Sequence, residues 1–183
     1  MTQEDLQKEG ANLSLSLRFI ETPFGQALVA ATATGICHLS FDDSQKMAMD
    51  SLQKRFPRAD MAIRESPHMA QAIRCFASPS ASPNSDNRQL ALHLRATPFQ
   101  EKVWRALLTI APGKVASYSD IAQAIAQPKA QRAVGSAIGK NEVAFILPCH
   151  RVIGRDGSMT GYRWGKARKT KMLAWERARV AGP

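Results

Sequence analysis

Ser117-Tyr118-Ser119-Asp120-Ile121-Ala122-Gln123-Ala124-Ile125 and Ala130-Gln131-Arg132-Ala133-Val134-Gly135-Ser136-Ala137-Ile138-Gly139 are two short amphipathic stretches, joined through Gln127-Pro128-Lys129. The first opens on a Ser-x-x-Asp box, in which each side chain can bond the other residue's free backbone amide, so a helix starts there. Ile121, Ala124 and Ile125 form its apolar stripe, and Ala130, Val134, Ala137 and Ile138 form that of the second. Two short helices on a tight connection predict a helix-turn-helix over about 117–140. Ala133, Gly135, Ser136 and Gly139 are small enough to let something bulky approach the second helix, and Arg132 lies off its stripe and can project outward.

Upstream, Thr97-Pro98-Phe99-Gln100 is a second capping box, with Pro at the first helical position. Phe99, Val103, Ala106, Leu107 and Ile110 follow at helical spacing until Pro112-Gly113 stops the helix. Downstream, Gly139-Lys140-Asn141 ends the helix-turn-helix. Val143 to Leu147 is an apolar run of strand type that leads into Pro148-Cys149-His150-Arg151-Val152.

The first half has a different grammar. Residues around Leu13 to Glu21 alternate apolar and polar, Thr22-Pro23-Phe24-Gly25 is a turn, and Ala27 to Ala31 and Gly35 to Phe41 continue a meander. Asp43 to Phe56 reads as a helix with Met47, Leu52 and Phe56 apolar. Met61 to Arg64 reads as a short strand and Ser66 to Phe76 as a helix with Pro67 first. Ala77 to Arg88, rich in Ser, Pro and Asn, is a loop. Leu90 to Leu94 is expected to close the sheet, which puts a domain boundary near Arg95. The fold expected from these patterns is an α/β domain over 1–95, a small mainly antiparallel sheet with helices, and a mainly α domain over 96–183.

Charge marks the same boundary. Of 183 residues, 25 are Lys or Arg and 15 are Asp or Glu, for a net charge of +10. From Met1 to Arg95 the 10 basic and 10 acidic residues cancel, whereas Ala96 to Pro183 carries 15 basic and 5 acidic residues. A half so basic points to a polyanion: nucleic acid first, an anionic membrane surface second, or simply a solvated face. The acidic, polar start carries no secretory signal and no run approaches a membrane span, so a membrane location is not expected. Cys37, Cys75 and Cys149 are odd in number and far apart, a poor disulfide framework, which favours a reducing cytoplasm. Neither a CxxC pair nor a His-x-x-x-His spacing suggests zinc. Cys37-His38 and His68 near Cys75 fit core or surface positions better than a metal site, so no metal and no cofactor are expected.

Cys149 is the residue with chemistry to offer. A free thiol is mostly protonated at neutral pH, and a neighbouring imidazole and basic surround favour the thiolate. In an extended segment the ring of adjacent His150 cannot reach the sulfur, so a water relay or a third group such as Glu176 would complete the circuit. The competing reading is a buried cysteine at a strand end.

Pro148-Cys149-His150-Arg151-Val152, preceded by Arg132-Ala133-Val134-Gly135 and Asn141, resembles the active-site region of the O6-alkylguanine-DNA alkyltransferases, or methylated-DNA–protein-cysteine methyltransferases. Gly161-Tyr162-Arg163-Trp164-Gly165 is especially similar to the C-terminal domain of bacterial Ada proteins. The match runs from Thr97 to about Glu176, and the first 95 residues are similar only in layout. The resemblance implies that Cys149 accepts the alkyl group. It implies that His150 takes the thiol proton through a water, and that Glu176 orients that histidine. Asn141 matches the hinge between recognition helix and active-site strand. Tyr118 matches the tyrosine that presses on the target phosphate, and Arg132 the arginine that fills the vacated stack. Tyr162 and Arg163 match the loop whose backbone contacts the flipped guanine. It also implies a ribonuclease-H-like first domain and a recognition helix in the minor groove. The expected activity is a single, irreversible transfer from O6-alkylguanine, and O4-alkylthymine, in duplex DNA, by a cytoplasmic, nucleoid-associated monomer.

The physics is compatible. The lesion lies inside a duplex, so the base must leave the stack, at a cost of a few kcal/mol that damage lowers. Phosphate contacts from the basic half can offset the remainder, and small residues on the second helix suit a narrow groove. Displacement at a saturated carbon needs a soft, exposed thiolate and no oxyanion hole, and no Gly-x-Ser-x-Gly elbow is present. Two departures stand out. Trp164 occupies a position that is glycine in some relatives; its ring should narrow the pocket and favour methyl over benzyl, unless it only packs the loop. Ada's zinc and regulator domains have no counterpart, so a methylation-activated transcription factor is not expected. The alternative function is a non-catalytic protein that flags alkylated DNA; relatives of that kind carry tryptophan where this chain has Cys149. A cysteine hydrolase unrelated to DNA leaves the basic half unexplained.

Overall fold

The computed structural model describes Met1 and residues 10–77, 90–159 and 161–180. The chain forms two compact units, Met1–Arg95 and Ala96–Pro183. The first contains β1 (Ser14–Thr22), β2 (Gly25–Ala31), β3 (Ile36–Ser40), α1 (Gln45–Arg55), β4 (Asp60–Ile63) and α2 (Pro67–Ala77). Its sheet has the order β3-β2-β1-β4. The meander pairs antiparallel, and β4 returns after α1 to lie parallel to β1, so the sheet is mixed.

Alternation in β1 places Leu15 and Leu17 on one face, with Phe19 half-buried beside them, and Ile20 is buried on the opposite face. Ala48 and Leu52 of α1, with Phe56, pack on Leu15, Leu17, Leu28 and Ala30, and Cys37 belongs to this same core. Elsewhere in the unit Phe24, Phe41 and Phe76 meet edge-on, with centroids 6.2 to 6.4 Å apart. Met69, Ala72 and Cys75 of α2 are buried. Burial pushes the thiols up, Cys37 to about 12 and Cys75 to about 11, so both are protonated core residues.

Two expectations in this unit fail. Met47 is 54% exposed; Ala48 takes the inward place because, with Leu52, it lies at i, i+4 spacing toward the sheet. Leu90 to Leu94 is not a strand. Ile36 pairs with it, donating to Ala91 O (2.9 Å) and accepting from His93 N (2.8 Å), in one isolated parallel bridge with Leu92. The approach is close enough that a Cβ on Gly35 would sit 2.5 Å from Ala91 O. The expected Ser- and Pro-rich loop lies, from residue 78 on, outside the described residues.

The second unit is mainly helical: α3 (Pro98–Leu108), α4 (Tyr118–Ala124), α5 (Gln131–Gly139) and α6 (Lys166–Val180), with a parallel pair β5 (Ala116–Ser117) and β6 (Val152–Ile153) and a 3-10 turn at Cys149–Arg151. Both capping boxes form, at Thr97 and at Ser117. α3 packs on α4 and α5, and α4 on α5. Trp104 Nε1 donates to Ala137 O at 2.9 Å, tying α3 to α5. Among the described residues no helix is long and apolar enough to cross a membrane.

Val143 to Leu147 is not a strand but a set of tight turns. Asn141 Oδ1 accepts from Val143 N (2.8 Å), Asn141 Nδ2 donates to Leu147 O (3.0 Å), and Leu147 N donates to Val143 O (3.1 Å). A side-chain amide that satisfies the backbone locally removes the need for a ladder partner. The run is apolar because it is buried from Val143 to Leu147, without any period-2 pattern.

Candidate active site

Asn141 follows directly on Lys140, the C-terminal cap of α5, and is 1% exposed. Besides holding the turn, its Nδ2 donates to Cys149 Sγ at 3.0 Å. Cys149 opens the 3-10 turn, where Cys149 N bonds Leu147 O (2.7 Å) and Arg151 N bonds Pro148 O (3.0 Å). The segment is therefore coiled, not extended as expected, because Pro148 and the Leu147 carbonyl close it into a turn.

The thiol is also less open than expected, at 5% exposure. Burial pushes it up to about 11, against the pull of the Asn141 hydrogen bond, the Lys169 ammonium and the local backbone amides. All of these favour the anion, and burial outweighs them. The sulfur thus rests protonated in a site lined with groups that accept a thiolate.

His150 is fully buried, and its Nε2 lies 2.8 Å from Glu176 Oε1 on α6. Burial lowers its pKa, opposed by Glu176, so the ring is neutral and carries its proton on Nε2 toward the carboxylate. Among the described residues its Nδ1 has no hydrogen-bond partner. Burial tends to raise the Glu176 carboxyl, but the bonds from His150 and Arg151 outweigh it and hold it down at about 2. Arg151 grips the carboxylate with Nε at 3.1 Å from both oxygens and Nη2 at 2.8 Å from Oε1, and its Nη1 donates to Ile110 O. Gly113 N adds a bond to Glu176 Oε2 at 3.1 Å. Glu176 is thus an anion, held 2.8 Å from the imidazole.

Tyr118, at the start of α4, and Tyr162 sit where burial, and then the charge on Cys149, raises their phenols. The Tyr118 ring lies against α5, 3.7 Å from where a Cβ on Gly135 would be. Its hydroxyl would be 3.2 Å from a Cβ on Gly161, whose φ of +74 is itself glycine-like. Tyr162 donates to Met172 Sδ at 3.2 Å and meets Trp164 edge-on at 5.4 Å. Trp164 is 8% exposed, with the Arg163 guanidinium 5.7 Å above its ring and 3.6 Å from Glu142. Arg132 is exposed on α5. Among the described residues no group of three or more His, Cys, Asp or Glu is placed to hold a metal.

Two further residues join the cluster, neither singled out from the sequence: Arg151, which grips Glu176, and Lys169. Lys169 is 1% exposed, donates from Nζ to Val152 O at 2.5 Å and acts on the thiol by its charge. The signal was present: Lys169, Met172, Leu173 and Glu176 occupy i, i+3, i+4 and i+7, a buried helix stripe that contains both a cation and an anion.

Comparison with known proteins fits this geometry. The DNA-binding domain of 6-O-methylguanine DNA methyltransferases matches residues 98–178. The methylated-DNA–protein-cysteine methyltransferase of Methanosarcina barkeri is 37% identical over 161 residues, covering 86% of this chain and 94% of that protein. The chain belongs to the methylated-DNA–protein-cysteine methyltransferase family. Another relative is the bifunctional transcriptional activator and DNA repair enzyme Ada of Escherichia coli, 38% identical over 179 residues, or 96% of this chain and 49% of Ada. The chain thus spans about half the length of the Ada proteins it matches. The crystal structure of Mycobacterium tuberculosis OGT in complex with DNA superposes with a TM-score of 0.71 at 33% identity, covering 90% of this chain and 94% of that one. This methyltransferase family accounts for both units, since that coverage extends through the mixed sheet.

Proposed function

We propose that the chain repairs DNA by taking the alkyl group of O6-alkylguanine, and of O4-alkylthymine, onto Cys149. The observation that carries this is the buried line of contacts from Glu176 through His150 beside a cysteine whose sulfur is held by Asn141. His150 Nδ1, which has no hydrogen-bond partner among the described residues, takes the thiol proton through a water. The sulfur attacks the alkyl carbon, the S–C bond forms and the C–O6 bond breaks. The guanine keeps that electron pair and regains a proton, which balances the one lost by the thiol. Lys169 and Asn141 stabilise the transient thiolate. The thioether is stable, so each molecule reacts once.

In this reading α4 and α5 are a helix-turn-helix with α5 in the minor groove. Arg132 fills the vacated stack, Tyr118 presses on the target phosphate, and the Tyr162-Arg163-Trp164 loop walls the pocket. The exposed positions Arg132, Ala133, Ser136 and Gly139 support it, being one cation among small side chains. The second unit, 96–183, is the DNA-binding and active-site domain, and the first, 1–95, supports it. The order β3-β2-β1-β4, with β4 alone parallel, supports a ribonuclease-H-like reading of the first unit. The chain acts as a cytoplasmic, nucleoid-associated monomer without a cofactor.

The test is to mix the protein with a duplex containing O6-methylguanine and analyse its peptides by mass spectrometry. A methyl group on the Cys149 peptide is expected, with none on Cys149→Ala, which still binds the duplex. Binding without transfer would overturn the reading in favour of a damage-flagging protein.

A further inference from the structure

Phe145 has the backbone of a residue under constraint. Its φ is +67, a region that bulky L-residues rarely adopt and that costs on the order of 1–3 kcal/mol. It sits inside the Val143–Leu147 turn, whose ends Asn141 ties down at Val143 N and Leu147 O. That turn lays the Phe145 ring on the His150 imidazole: the centroids are 5.3 Å apart and the planes 10° from parallel. Trp175 of α6 meets Phe145 edge-on at 5.9 Å, and the Arg179 guanidinium covers Trp175 at 4.1 Å. The phenyl ring is thus held between contacts with His150 and Trp175.

We infer that Phe145 is a positioning residue whose ring face fixes the plane of His150 and stabilises the imidazolium formed when His150 takes the Cys149 proton. The inference rests on reading Cys149 and His150 as a proton-transfer pair, and extends it. The Glu176 bond fixes Nε2 but leaves the tilt of the ring free about that contact. A near-parallel stack removes this freedom and so fixes where Nδ1 points. A phenyl face is electron-rich, so it favours an imidazolium over a neutral ring. The charged groups around His150 are mixed: Glu176 on α6 favours the cation, whereas Lys169 on α6 and Arg151 in its own segment oppose it. The Cys149 thiolate is the counter-charge made in the same step. With cations on two sides, a neutral group that still prefers the protonated ring has a clear use.

The experiment needs no DNA, so its outcome is independent of whether the chain accepts alkyl groups from guanine. The rate of Cys149 alkylation by iodoacetamide is measured from pH 6 to 10 by peptide mass spectrometry. The proteins are the native one, Phe145→Leu, Phe145→Tyr and one with pentafluorophenylalanine at position 145. The last keeps the ring's shape and reverses its face charge, so it remains informative if Phe145→Leu does not fold. At neutral pH, Phe145→Leu and the fluorinated protein should react roughly five- to tenfold more slowly, with the rate profile displaced to higher pH, and Phe145→Tyr should match the native rate. Equal rates at every pH for the native and fluorinated proteins would overturn the inference, as would a slowed Phe145→Tyr. Failure of Cys149 to react in the native protein overturns it as well, since it requires a thiol that His150 can deprotonate.

Discussion

Asn141 Nδ2 lies 3.0 Å from Cys149 Sγ, so the residue that ends the α5 segment also touches the sulfur. The same nitrogen reaches Leu147 O at 3.0 Å, and Oδ1 holds Val143 N at 2.8 Å. One buried side chain therefore shapes the turn before the cysteine and supplies a donor to its thiolate. Structure and reactivity are coupled at this point, and two substitutions separate them.

Asn141→Ala leaves buried Val143 N and Leu147 O without partners and should cost about 2–4 kcal/mol in urea unfolding. Asn141→Asp keeps the acceptor for Val143 N but replaces the donor to sulfur with an anion. It should raise the thiol further and slow iodoacetamide alkylation of Cys149 at pH 7 by more than tenfold. An Asp variant as reactive as the native protein would remove Asn141 from the chemistry.

Glu176 carries a pH-dependent share of stability. Its folded-state pKa of about 2 lies below the ordinary 4.5, so its contribution is full above the unfolded value and is lost as pH falls toward 2. The shift corresponds to roughly 3 kcal/mol. Glu176→Gln should lower stability at pH 7 by at least that amount, because it also leaves the Arg151 guanidinium buried without its anion. It should also flatten the loss between pH 4.5 and 2. Urea midpoints measured across that range give the answer, and parallel curves for the two proteins would contradict the assignment.

The parts legible in the sequence are those set by local rules. The capping boxes at Thr97 and Ser117 formed because their partners lie three residues away. The β1 alternation located the sheet because a half-buried strand must alternate. The pentapeptide at Cys149 pointed to a candidate site through its resemblance to the alkyltransferases, and the fold brings Cys149, His150 and Arg151 together with Asn141 and Glu176. What could not be read depends on partners distant in the chain. Val143 to Leu147 is apolar for burial, and only the Asn141 bonds turn it away from a strand. The depth of Cys149 and the use of Arg151 and Lys169 follow from α6 lying over the turn, with bonds spanning 17 and 25 residues to Lys169 and Glu176.

Arg132 is exposed on α5, off the Val134-Ala137-Ile138 face that packs inward. Truncating it removes no packing, so Arg132→Ala should unfold at the native urea midpoint. If it fills the space left by a flipped base, its loss matters only where a stack exists. Transfer from a methylated duplex should slow by 10-fold or more, while transfer from free O6-methylguanine should change less than twofold. Equal slowing on the two substrates would place Arg132 outside the flipping step.

Trp164 decides between pocket width and loop packing. Its ring is buried, edge-on to Tyr162 at 5.4 Å and beneath Arg163 at 5.7 Å. Both roles predict that Trp164→Gly is less stable, by about 3 kcal/mol, since a large buried ring is lost. They differ in the ratio of rates on two adducts. A ring that narrows the pocket excludes a benzyl group more than a methyl group, so the native chain should take methyl at least 10-fold faster. Trp164→Gly should bring benzyl transfer up relative to methyl, while Trp164→Phe should lie between. Single-turnover rates on paired duplexes give the ratio directly, and because both rates come from one protein preparation the stability loss cancels. A ratio that does not move with the size of residue 164 assigns the ring to the loop alone.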